Sequence, residues 1–216
     1  MKGTRYSLLL LALRQSALAP ALTYLALVAA VYASDAGPPV AAGTVTAVGL
    51  LPVCAWLARL VASAESAPFA DITLLRLGGP ARRQLIWWVS TMLVGAAFTV
   101  VAIVWARIAN PHPYPARTVL LLVLLHLVQA ACGAGLGGLL ARPYPVANGV
   151  AVLVVTGVMV ASLVVVQLPP VGPMVNAFAG DGSTDAAQVA AVLEATAVAV
   201  ALLLCGCLFS RRAATR

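Results

Sequence analysis

Six apolar stretches, each about 20 residues long, run through this 216-residue chain at 17–33, 40–61, 85–105, 118–140, 147–168 and 186–209. A helix needs about 20 consecutive apolar residues to cross the hydrocarbon core of a bilayer. Inside that core no water satisfies backbone N–H and C=O groups, so a spanning segment must satisfy its own as a helix. The pattern predicts an all-α, polytopic membrane protein with six transmembrane helices. Composition agrees: 62% of the residues are hydrophobic and 9% charged, whereas soluble domains carry about 25% charge. A soluble enzyme, a disordered chain and a disulfide scaffold are disfavoured on this ground.

The breaks between the runs are rich in proline and glycine. Ser34 to Pro39 reads as a turn, and Asn110 to Pro115 and Arg142 to Pro145 cannot be helical. Pro20 suits a first helical turn, and Pro52 predicts a kink in the second span. Ahead of the first span, residues 1–16 mix Lys2, Arg5 and Arg14 with a leucine run. Burying Arg14 at mid-bilayer costs about 2.5–3.5 kcal/mol on the lenient scale. An amphipathic helix lying in the interface avoids this by letting the arginine reach the headgroups. A signal peptide is the competing reading, but its apolar core would have to run through Arg14-Gln15-Ser16. Residues 17–216 are then a single six-helix domain.

Placing the N-terminus in the cytoplasm puts Lys2, Arg5, Arg14, Arg59, Arg76, Arg82, Arg83, Arg142, Arg211, Arg212 and Arg216 on the inside, against Arg107 and Arg117 outside. This eleven-to-two split is a positive-inside pattern with both termini cytoplasmic. Arginine replaces lysine almost everywhere and alanine is abundant, a bias typical of a high-GC bacterial genome. The expected location is a bacterial inner membrane. Aromatic residues are sparse and do not interleave with a basic patch, so nucleic acid is not an expected partner; lipid is.

Several chemistries lack their residues. The only lysine, Lys2, follows no glycine-rich run, so the chain has no Walker A site and is not expected to hydrolyse ATP. Cys54, Cys132, Cys205 and Cys207 sit in apolar runs and read as small hydrophobes. No convergent His/Cys/Asp set suggests a metal, and no catalytic constellation is present. Within the spans, His126 and Gln129 share one face of the fourth. They read either as a substrate path or as interhelical hydrogen bonds. Gly133 and Gly137 form a G-x-x-x-G that favours close helix packing. Glu194, about two turns into the sixth span, would suit a cavity wall, an interface or a proton-coupled step.

The segment between spans two and three reads as a short helix at about 66–78. Ser66 can cap it, Pro68 and Asp71 suit its first turns, and Gly78-Gly79-Pro80 stops it. Phe69, Ile72 and Leu75 give it one apolar face. On the residues alone it is either a helix lying in the membrane interface or a docking helix for a cytoplasmic partner.

The layout resembles the permease subunits of type-2 ATP-binding-cassette (ABC) exporters. The resemblance is carried by the basic N-terminal helix, the six spans, Glu65 opening the cytoplasmic loop, and Leu74, Arg76, Leu77, Gly79, Pro80, Arg82 and Arg83 closing it. The broken apolar stretch at about 169–180 is similar to the family's re-entrant segment. Ser66 to Asp71 departs from the family's usual Glu-x-Gly-Thr-x-Glu-type run. The resemblance implies two permease subunits, identical or paralogous, working with two cytoplasmic ABC ATPase subunits that hold ATP and Mg. The chain itself would hold no cofactor. Glu65, Phe69, Asp71, Ile72, Leu75, Arg76, Arg82 and Arg83 would couple it to the ATPase, and a hydrophobic or amphipathic substrate would be exported. Two other classes stay open: a non-transporting membrane protein that acts by binding, such as an immunity or sensory subunit, and a proton-coupled secondary carrier using Glu194.

Overall fold

A computed structural model describes residues 2–64, 67–141, 147–165, 167–179 and 185–213. Among them every regular element is helical. The helices are α1 (Lys2–Ala12), α2 (Leu18–Val31), α3 (Pro39–Ala62), α4 (Ala67–Leu77), α5 (Pro80–Ala109), α6 (Ala116–Ala141), α7 (Asn148–Val164), α8 (Gly172–Ala179) and α9 (Asp185–Ala213), with a 3-10 turn at Gln15–Ala17. Four of them, α3, α5, α6 and α9, are long and apolar enough to cross a bilayer. The chain bends by 87° between α1 and the stretch leading into α2, and the bent pair taken together would make a fifth. The all-helical, membrane-embedded character expected from the apolar runs holds.

The expected first and fifth spans are shorter than their apolar runs. α2 has 14 residues and α7 has 17, or about 21 Å and about 26 Å of helix against about 30 Å of hydrocarbon. α2 begins only after the elbow at Arg14 and ends at Val31, three residues before Ser34-Asp35. α7 ends where Val165 turns to an extended conformation. The third run grows the other way. α5 reaches back to Pro80, which suits a first helical turn because it has no N–H to satisfy.

Helices α3 and α6 form the centre. A Cβ at Gly133 would collide with the Leu51 carbonyl, and one at Gly137 with the Ala55 backbone. The two helices therefore touch backbone to backbone at two points about one turn apart. Around them pack Leu50, Val53, Cys54 and Leu57 of α3 with Trp87 and Ala102 of α5. Tyr24 of α2 meets Phe98 of α5 with ring centroids 5.2 Å apart. Gln84 of α5 lies between Gly138 of α6 and Gly206 of α9.

Charged groups collect at the two ends. At one end Arg14 donates to the carbonyls of Ser63 (2.7 Å) and Ala64 (3.0 Å), and Arg59 donates to that of Leu140 (2.6 Å). Each guanidinium thus meets carbonyls at a helix C-terminus, where the backbone dipole favours a cation. Arg14 was expected to reach lipid headgroups; here it ties the α1–α2 elbow to the end of α3. At the other end Asn110 donates to Gly37 (3.2 Å), His112 lies 3.3 Å from Asp35, and Arg117 pairs with Asp185.

Candidate functional site

Two places gather the residues singled out from the sequence. The first is α4 at the arginine-rich end. Gly78 and Gly79 end it with φ of 79° and 115°, a region that glycine enters freely. Their N–H groups close onto the carbonyls of Leu75 (3.3 Å) and Leu74 (3.2 Å). The helix packs on α5, and among its described side chains Ile72, Leu75 and Arg76 are left uncovered. Leu75 is 83% exposed, Ile72 is exposed, and Arg76 is exposed beside them. Arg82 is exposed too, its guanidinium lying over Gly78.

Arg83 differs from the expected set. It is buried, and its guanidinium stacks over the Trp87 ring at 4.9 Å. Trp87 stands one helical turn further along α5, so this cation stacks on an aromatic ring of its own helix. Glu65 lies outside the described residues, as do the side chains of Phe69 and Asp71.

The second place is a polar seam along α6. His126, Gln129 and Cys132 are spaced three apart and all buried. His126 Nδ1 lies 2.7 Å from the Leu122 carbonyl, which assigns the ring proton to Nδ1. Nε2 then accepts from the Thr46 hydroxyl of α3 at 3.2 Å. That hydroxyl also lies 3.0 Å from the Gly43 carbonyl, so one proton serves two acceptors. Gln129 Nε2 donates to the Pro170 carbonyl (3.0 Å) and meets the Met174 sulfur (2.8 Å). Cys132 donates to the Ala195 carbonyl of α9 at 3.3 Å.

The seam therefore touches α3, α8 and α9 in turn. It brings His126 and Gln129 together, and it adds Thr46, Cys132 and Met174, which sequence reasoning did not assign to it. A threonine in an apolar run carries no mark of a partner 80 residues away. Glu194 is not part of the seam: it is exposed on α9, with no hydrogen bond or ion pair among the described residues. Among those residues no three His, Cys, Asp or Glu side chains converge as a metal site would need.

α8 completes the arrangement. Met174, Ala177 and Phe178 are buried with Ala47, Leu122, Leu125 and Ala195. An eight-residue helix is too short to stand alone in water, so packing and the Gln129 hydrogen bond hold it in place. No protein-family model, no curated protein and no solved structure matches the chain.

Proposed function

We propose that the chain is the permease subunit of a type-2 ABC exporter in a bacterial inner membrane. It would cross the membrane six times with both termini in the cytoplasm. Two copies, or one copy and a paralogue, would work with two cytoplasmic ATPase subunits that carry ATP and Mg, and would export a hydrophobic or amphipathic compound.

The observation that supports this reading most is α4. A capped helix stands at the arginine-rich end with Leu75 almost fully exposed and Arg76 beside it. Leaving a leucine in water forgoes burial worth about 1.5–3 kcal/mol. A partner that covers Ile72 and Leu75 recovers it, while Arg76 and Arg82 sit at the rim and speed association. The proton-carrier reading draws less support, because Glu194 stands apart from His126. A membrane protein that only binds a cytoplasmic partner would use the same face of α4, so the partner's chemistry separates the two.

The test is affinity purification of the chain from its host membranes, with ATP hydrolysis measured on the eluate. Hydrolysis is expected with the unaltered chain and lost with Leu75→Glu and with Leu74→Pro, both still inserted in the membrane. Should both variants retain the ATPase and export normally, α4 is only an interfacial spacer and the exporter reading falls.

A further inference from the structure

Helix α1 leaves a groove where it crosses α5. Gly3 sits against Ile86 and Leu77, closing one end of the crossing. Beyond it, α1 and α5 border an open groove of about 620 Å³. Leu8, Leu9 and Ala12 of α1 form one wall, and Val89 and Leu93 of α5 form the other. Thr4 and Arg5 line the same groove from the preceding turn of α1.

The lining is almost wholly apolar, with Thr4 and Arg5 one helical turn before Leu8 and Leu9 at one end of it. Leu9 is 54% exposed and Leu93 is 51% exposed, so the apolar part is uncovered on its open side. Arg5 is exposed and makes no ion pair or hydrogen bond among the described residues. Elsewhere at this end Arg14 and Arg59 are held by carbonyls and Arg83 lies on Trp87. Arg76 and Arg82 are exposed as well, but Arg5 is the arginine that lines the groove.

We propose that this groove holds one anionic phospholipid, its acyl chain along Leu9 and Leu93 and its phosphate on Arg5. A guanidinium matches two phosphate oxygens at once, which an ammonium cannot do. Arg5, the charged residue of the lining, disfavours a headgroup that carries its own cation, so phosphatidylglycerol is favoured over phosphatidylcholine. The helix that begins the chain is then fastened to the bundle partly through lipid. The inference stands independently of any ATPase partner.

The test is native mass spectrometry of the full chain, titrated in detergent with dioleoylphosphatidylglycerol or dioleoylphosphatidylcholine. One phosphatidylglycerol should be retained about tenfold more strongly, because the choline cation of the other lipid is repelled by Arg5 while both carry the phosphate. Arg5→Gln should bring the two lipids level. Leu93→Trp should fill the groove and release both, and Leu8→Trp, from the opposite wall, gives the same reading if the first variant does not insert. Arg76→Gln, outside the groove, should leave the preference intact. The proposal is overturned if Arg5→Gln keeps the preference, if Arg76→Gln removes as much of it, or if the tryptophan variants keep their lipid.

Discussion

The side-chain nitrogen of Gln129 reaches the carbonyl oxygen of Pro170 at 3.0 Å, binding the middle of α6 to the turn that precedes α8. The same nitrogen meets the sulfur of Met174, within α8 itself. The Gln129 oxygen, by contrast, is buried with no hydrogen-bond partner among the described residues. A buried hydrogen bond adds about 0.5–1.5 kcal/mol, and an unpaired buried acceptor costs about 1–3 kcal/mol. The two roughly cancel, so this residue positions α8 more than it stabilises the fold.

Gln129→Leu should accordingly leave stability within about 1 kcal/mol of the unaltered chain, since donor and orphaned acceptor vanish together. It should still loosen α8. With a cysteine introduced by Ala177→Cys, at a position now buried, maleimide labelling should be slow in the parent and faster once Gln129 is leucine. Equal labelling rates would show that packing alone fixes α8.

Glycine positions offer a sharper contrast. A Cβ at Gly133 would strike the Leu51 carbonyl, whereas at Gly157 it would meet nothing within 4 Å. Gly133→Ala should cost about 1–3 kcal/mol, as overpacking does. Gly157→Ala should be neutral or stabilising by up to about 1 kcal/mol, because alanine is the better helix former. Thermal unfolding in one detergent compares them directly, and equal midpoints would contradict the α3–α6 contact.

Arg14→Gln removes a cation from the C-terminus of α3. The guanidinium serves two carbonyls but is partly solvated, so the expected loss is about 1 kcal/mol. The change should be local. Hydrogen exchange should quicken at Ser63 and Ala64 while the centre of α3 stays protected. Unchanged exchange at those two amides would remove the capping role.

The two charged ends make a topological prediction. A membrane-impermeant thiol reagent applied from outside intact cells should label Pro113→Cys, in the loop beside His112 and Asp35. It should miss Leu75→Cys on α4 until the membrane is opened. Labelling of both from one side would mean that the two ends do not lie across a bilayer.

Much of the helical layout was legible because apolar length is a strong signal. The runs at 118–140 and 186–209 fall within α6 and α9, and the Arg14-Gln15-Ser16 interruption falls at the elbow. Boundaries were less legible where a proline begins a helix rather than ending one, as Pro80 does for α5. Polar partners were the least visible. Arg14, Arg59, Gln129 and Cys132 all bond to backbone carbonyls, which every residue possesses and no side-chain pattern marks. Thr46 was hidden for a related reason. Thr44, Thr91 and Thr99 bond only carbonyls of their own helices, and nothing in the sequence separates Thr46 from them.

The backbone contact of Gly133 with Leu51 and of Gly137 with Ala55 limits where anything can pass. At the level of Gly133 and Gly137, an aqueous route between α3 and α6 would have to prise the main chains themselves apart, because neither glycine has a side chain to swing aside. The pair therefore acts as a fixed axle. Any rearrangement of the bundle that keeps this contact has to move the other helices relative to the pair.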